Sequence, residues 1–303
     1  MTVSSVATLA AVLSVAPALP GLANRTKSFL TGRRGAPVLQ LYSDLAKLAR
    51  KGAVYSGTTT SVFRVAPVLA VVSTLLAACL LPLDGREPVA GFTGDIVLFA
   101  ALLALGRFAV VLAALDTGSS FEGMGASREV TFAAFAEPGL FLCLLVLVLA
   151  TGRLSLGGML AAPLANAWPT AAPSLVMVGI SLFVLMLAET SRVPVDDPAT
   201  HLELTMIHEV MVLDHSGPDL ALILYGGALK LALFGSLVVG VLVPHSALDA
   251  PAGGAVLVVG LLGVAAGVGV VESVMARLRL DRVPQFLITA SALAGFAAIL
   301  LLG

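Results

Sequence analysis

Ala188-Glu189-Thr190-Ser191-Arg192-Val193-Pro194-Val195-Asp196-Asp197-Pro198 is where the chain changes character, and the acidic run continues through His201, Glu203, His208, Glu209, Asp214 and His215 to Asp219. Only 12% of the 303 residues are charged, yet residues 188–219 hold seven acids and three of the four histidines. One apolar run, residues 176–188, leads directly into this patch, and another, residues 220–243, leads directly out. Carboxylates at the rim of a hydrocarbon layer are costly unless they pair, reach water or are used. The juxtaposition implies helices that cross a membrane, with ion or proton handling as the first functional reading. A solvated acidic loop is the plainer alternative.

Local signals give the patch a shape. Asp197-Pro198 reads as an N-cap followed by a proline at the first helical position, and Gly217-Pro218 as a helix stop. One helix of roughly five turns is expected between them. His201, His208 and His215 repeat every seven residues and would share a face. Glu189 and Arg192, three apart, would pair if the preceding helix continues. No His-Glu-x-x-His spacing occurs here, so a metal site is not expected.

Composition sets the class. With 58% hydrophobic residues and a mean hydropathy of +1.04, the chain reads as an all-α, polytopic transmembrane bundle. The net charge of −1 gives no sign of a nucleic-acid partner. Cys79 and Cys143 stand alone in separate apolar runs and form no CxxC set, so any redox centre would belong to another subunit.

Taken in order, the apolar runs at residues 3–22, 62–83, 96–115, 130–150, 176–188, 220–243, 256–271 and 286–302 give about eight spans. The first lacks a basic leader and reads as a retained span. Residues 24–61 carry the main basic cluster; within them, Val38, Leu41, Tyr42, Leu45 and Leu48 recur at helical spacing, which predicts an interfacial amphipathic helix after span 1. Segments 24–61, 116–129, 189–219 and 276–284 are the expected cytoplasmic loops of a single membrane domain, 1–303. Arg86 and Arg153 are the basic exceptions on the other side. The cytoplasmic membrane is the expected location, with both termini outside. Residues 151–173 read as a Gly/Pro-rich outer loop in which Trp168 is an interface anchor, and Gly263–Gly267 as a close-packing GxxxG pair. Arg107 and Lys230 lie inside spans and need partners; Asp116, Glu122 and Glu129 are candidates for Arg107. Glu137-Pro138 places a carboxylate beside an expected kink, either as a proton stop or as a structural pair with Arg107 or Lys230.

The charged segments together resemble the complex I subunit 1 family. The residues that carry the resemblance are Ala188–Pro198 with Glu203-Leu204, Gly32-Arg33-Arg34-Gly35-Ala36-Pro37 with Gln40, Asp44 and Lys47, and Ser127-Arg128-Glu129 with Glu137. The run from Asp196 through His201, His208 and His215 to Gly217 is most similar to the family's hydrogenase branch, the membrane subunits of group 4 nickel–iron hydrogenases. The resemblance implies a non-catalytic subunit that docks a peripheral arm and couples its electron transfer to proton or sodium movement. The implied partners are the hydrogenase large and small subunits, a ferredoxin-like iron–sulfur subunit and antiporter-like membrane subunits. The nickel–iron site and iron–sulfur clusters would lie in those partners, with no cofactor in this chain. Carried over, Glu129, Glu137, Glu189, Glu203 and Glu209, with Arg107 and Lys230, become proton-path candidates. Arg33, Arg34, Gln40, Asp44, Lys47, Arg192, Asp196 and Asp197 become candidates for docking and loop order. The alternative within the same resemblance is the quinone-site subunit of a respiratory NADH dehydrogenase-like complex. Against it, Lys51 is followed by Gly52 where that pattern has a glutamate, and the histidines depart from it.

Overall fold

The structure is a computed structural model that describes residues 3–197, 206–246 and 248–302. Within these the chain is helical, in the order α1 (Val3–Val15), α2 (Ala18–Leu30), α3 (Gln40–Ala49), α4 (Ser61–Cys79), α5 (Asp95–Asp116), α6 (Ser120–Thr151), α7 (Leu156–Met159), α8 (Ala162–Glu189), α9 (Gly217–Leu242), α10 (Ala250–Val274) and α11 (Val283–Leu302). Seven helices are long and apolar enough to cross a membrane, and eight if the bent pair α1–α2 counts as one span. That pair turns by 46° around Pro17, where a backbone donor is missing.

α9 is the central helix: 67% of its apolar window is buried, against 22% for the window that includes α11. α4 and α5 pair on one side of it; α8, α6 and α11 pack on the other, and α10 closes the bundle with α2. Loop contacts sort the helix ends into two groups. At one end Thr60 donates through its N–H and hydroxyl to Asp116, Val54 N–H donates to Ser216 Oγ and Leu278 N–H donates to the Pro194 carbonyl. This is the end that carries the basic segments. At the other end Leu156 N–H donates to Asp95, and the ring of His245 lies against Gly85. α3 lies across the basic end with none of its residues buried, as an interfacial amphipathic helix requires.

Several local expectations are corrected. Residues 151–173 are mostly helical, because Pro163 sits in the first turn of α8, where no donor is missed, and Pro169 and Pro173 are held inside that helix by its neighbours. Trp168 is therefore on a helix, donating from Nε1 to the Val241 carbonyl. Residues 120–129 are the first turns of α6, not a loop. At 32 residues α6 is about 48 Å long, well beyond a hydrocarbon layer of about 30 Å. No long helix fills residues 206–216: Glu209–Val212 form a single 3-10 turn. Gly217-Pro218 starts a helix rather than stopping one. Gly217 adopts φ +53° with the Gly52 carbonyl 2.7 Å from where a Cβ would stand, and Pro218 occupies the first turn of α9. Gly263 meets nothing within 4 Å, and the close helix approaches in α10 fall at Gly254, Gly260 and Gly269 instead.

Candidate functional site

The central acidic segment cannot continue α8, because the chain turns at Thr190 and Ser191, the latter at φ +55°. Glu189 and Arg192 therefore diverge instead of pairing. Glu189, the last residue of α8, points at α5; Arg192 points at α10.

On α5, Arg107 is 8% exposed and meets three carboxylates. Its Nε lies 3.3 Å from Glu129 and its Nη1 donates to Glu137 at 2.5 Å, both on α6, while Nη2 donates to Glu189. Of the three partners the sequence offered for Arg107, only Glu129 is used. Asp116 is taken by Thr60, and Glu122 accepts from the Asp214 N–H. Glu137, the alternative structural pair, joins as well. One cation against three carboxylates, two of them with side chains less than a tenth exposed, is not balanced, and an unbalanced buried charge is strongly unfavourable. The additional cations near by are Lys230 of α9 and His208. Lys230 lines the same cavity and has no ion-pair partner within 4.0 Å among the described residues. Lys230 and His208 line the same space as Glu129 and Glu189.

That cavity, about 260 Å³, is lined by Arg107, Glu129, Glu189, His208, Glu209 and Lys230, with Leu41 of α3 among its apolar residues. A second cavity of about 230 Å³ is lined by Arg107, Glu137 and Glu189 among apolar side chains of α5, α6, α8 and α9. Arg107 and Glu189 line both, so this pair forms the wall between them. Glu137 faces outward, with 44% of its side chain exposed. The arrangement can hold, exchange and redistribute protons among coupled carboxylates.

A second set of ion pairs orders the loop. Arg192, 6% exposed, meets Glu272 at 3.2 Å and donates to Asn24 Oδ1 at 3.3 Å; Lys27 lies 3.6 Å from Glu272 and 4.0 Å from Asp197. Asp196 Oδ1 meets Arg277 at 3.0 Å, while Oδ2 accepts from the N–H groups of Ile207 and His208. Gly125 of α6 lets this loop approach, since a Cβ there would meet Val210, Met211 and the Ile207 carbonyl.

His208 was not singled out as a site residue from the sequence, nor were Lys27, Glu272 and Arg277. The seven-residue spacing from His201 and His215 and the Asp196–Gly217 run pointed to His208, but the shared face expected with His215 does not form. His208 Nε2 lies 3.2 Å from Glu129. Burial draws its pKa down, but the adjacent carboxylate of Glu129 outweighs burial and leaves it above the ordinary histidine value. His215 stacks on Phe63 at 3.9 Å, and burial, only partly opposed by Asp219 and Asp214, holds its pKa below the ordinary value. His201 and Glu203 lie outside the described residues. Among the docking candidates, Arg33, Arg34 and Lys47 are exposed, Gln40 donates to Asp44, and Asp44 lies 3.8 Å from Lys47. Among the described residues no group of three metal-ligating side chains forms.

The chain matches known proteins along most of its length. The family model described as NADH dehydrogenase matches residues 3–303. Hydrogenase-4 component C of Escherichia coli K12 is 35% identical over 77% of this chain and 72% of its own length. Formate hydrogenlyase subunit 4 of the same organism is 31% identical over 90% of each chain. Among solved structures, a chain of the archaeal membrane-bound sulfane sulfur reductase, a respiratory membrane complex, shares the fold with a TM-score of 0.85 over 98% of both chains at 20% identity.

Proposed function

The chain belongs to the NADH dehydrogenase family, as a helical membrane subunit like subunit 1 of complex I, and from that premise we propose that it anchors and couples a membrane-bound nickel–iron hydrogenase-type complex. The basic end faces the cytoplasm and docks the large, small and ferredoxin-like subunits through Arg33, Arg34, α3 and the loop held by Arg192 and Asp196. Both termini lie outside. The observation that carries the coupling role is the Arg107 cluster. Its three carboxylates share one guanidinium in the wall between two cavities, one of which reaches the loop end through His208. The exposed side of Glu137 is where a neighbouring antiporter-like membrane subunit would receive protons or sodium. The nickel–iron and iron–sulfur chemistry belongs to the partners.

Purification of the chain from its native membrane, with metal analysis and a hydrogen-evolution assay, tests this reading. Nickel- and iron-containing partners with hydrogen evolution are the expected result. A nickel-free assembly that contains quinone would favour the alternative respiratory reading. One feature favours that reading: the larger cavity combines an apolar lining, including Leu41, with the buried charges.

A further inference from the structure

We propose that His208 is the residue that delivers protons from the loop end to Glu129, with Asp196 and Arg277 as its positioning residues. This rests on the reading of the Arg107 cluster as a proton path, and deepens it by assigning the entry point.

The geometry distinguishes His208 from a histidine fixed in a core. Its backbone is held, since Asp196 Oδ2 accepts the N–H groups of Ile207 and His208 at 3.1 and 3.2 Å while Arg277 pins the other oxygen. Its ring is held, among the described residues, only by the contact of Nε2 with Glu129. Neither ring nitrogen makes an aligned hydrogen bond among the described residues, and the 3.2 Å approach to Glu129 is an ion contact. Nδ1 faces Asp196 at 3.9 Å on the loop side, while Nε2 faces Glu129 of α6. A relay needs this combination: a fixed main chain and a ring free to exchange partners. The side chain is 24% exposed and lines the 260 Å³ cavity, but both ring nitrogens are covered, so a turn of the ring is what presents Nε2 to the cavity.

Charged groups face it from the elements packed around it. His208 shares its cavity with Glu129, Arg107 of α5, Glu189 of α8, Lys230 of α9 and its neighbour Glu209; Asp196 lies beside it, and Arg128 donates to the Met206 carbonyl in the same loop. Glu129 is its direct contact on the membrane side. In the step itself, the N–H bond at imidazolium Nε2 breaks and an O–H bond forms at Glu129 Oε2. The neutral ring keeps its remaining hydrogen on Nδ1, so it takes the next hydrated proton at Nε2 once the ring has turned from Glu129 toward the cavity. Charge is conserved: one positive charge leaves the ring and one negative charge is lost at Glu129. A neutral Glu129 releases its hold on Arg107 Nε, leaving the guanidinium to Glu137 and Glu189.

The test uses the whole complex in proteoliposomes, measuring protons translocated per turnover. His208→Gln is expected to lower this about tenfold or more, and added imidazole, small enough for the cavity, is expected to restore it. Wild-type translocation in His208→Gln, or a loss that imidazole does not relieve, overturns the proposal. Glu129→Gln separates the two layers. If it blocks translocation while His208→Gln does not, only the relay is wrong; if it has no effect, the proton-path reading itself fails. Should His208→Gln not assemble, Asp196→Asn keeps a backbone acceptor but removes the charge beside the ring. The alkaline limb of the pH profile must then move to lower pH, and an unmoved limb contradicts the relay.

Discussion

Arg107 and Arg192 are both buried guanidinium groups facing carboxylates, at 8% and 6% exposure, yet the two regions around them are built for different ends. Around Arg192 the charges close on themselves: Glu272 is shared with Lys27, Asn24 accepts a further bond, and Asp196 is answered by Arg277 and two backbone amides. Around Arg107 the carboxylates outnumber the guanidinium three to one, cavities lie on both sides, and the balance depends on Lys230 and a histidine that titrates. Closed pairing fixes a loop. Open pairing beside water-sized space leaves protons exchangeable.

The largest effect is expected at Arg107. Arg107→Ala strands three carboxylates in the bundle and is expected to cost about 3–5 kcal/mol, seen as loss of the subunit from membranes by immunoblot. Arg107→Lys is expected to restore little, because an ammonium cannot fork to several carboxylates. At the closed site, Glu272→Ala leaves Arg192 and Lys27 without their shared partner. A cost of about 3 kcal/mol is expected, read as faster limited proteolysis near residue 192 with the helical core intact. Glu137→Gln should sharpen the contrast. Its half-exposed side chain makes the stability change less than about 1 kcal/mol, while proton translocation falls.

The smallest effect is a difference in sign. His208 has a raised pKa, so its contribution to stability is complete below the unfolded value of about 6.5 and is lost as pH rises through the elevated folded value. His215 has a lowered pKa, so its contribution is complete above about 6.5 and is lost as pH falls toward the depressed value. Thermal midpoints across pH should therefore lose their alkaline slope in His208→Gln and their acidic slope in His215→Gln.

How much of this was legible in the sequence depends on what fixes each part. Apolar runs fix spans, and α5 and α9 lie within a few residues of where hydropathy puts them. Helix ends beyond the hydrocarbon layer carry no such signal, so the start of α6 reads as loop from sequence. Gly-Pro is ambiguous locally; the Gly52 carbonyl against Gly217 decides that it opens α9. The turn at residues 206–216 replaces an expected helix because Asp196 takes the amides of Ile207 and His208, a tertiary contact invisible to periodicity. At the site, sequence supplied the carboxylates and Arg107 but could not choose their pairing, which depends on how α5, α6 and α8 meet.

The central claim is that the Arg107 cluster carries protons rather than merely holding helices together. The most direct measurement is the ratio of protons translocated to electrons transferred in the reconstituted complex bearing Glu189→Gln, since Glu189 lines both cavities. The expected result is an assembled complex that still transfers electrons when uncoupled but translocates few protons. An unchanged ratio in an assembled complex would contradict it.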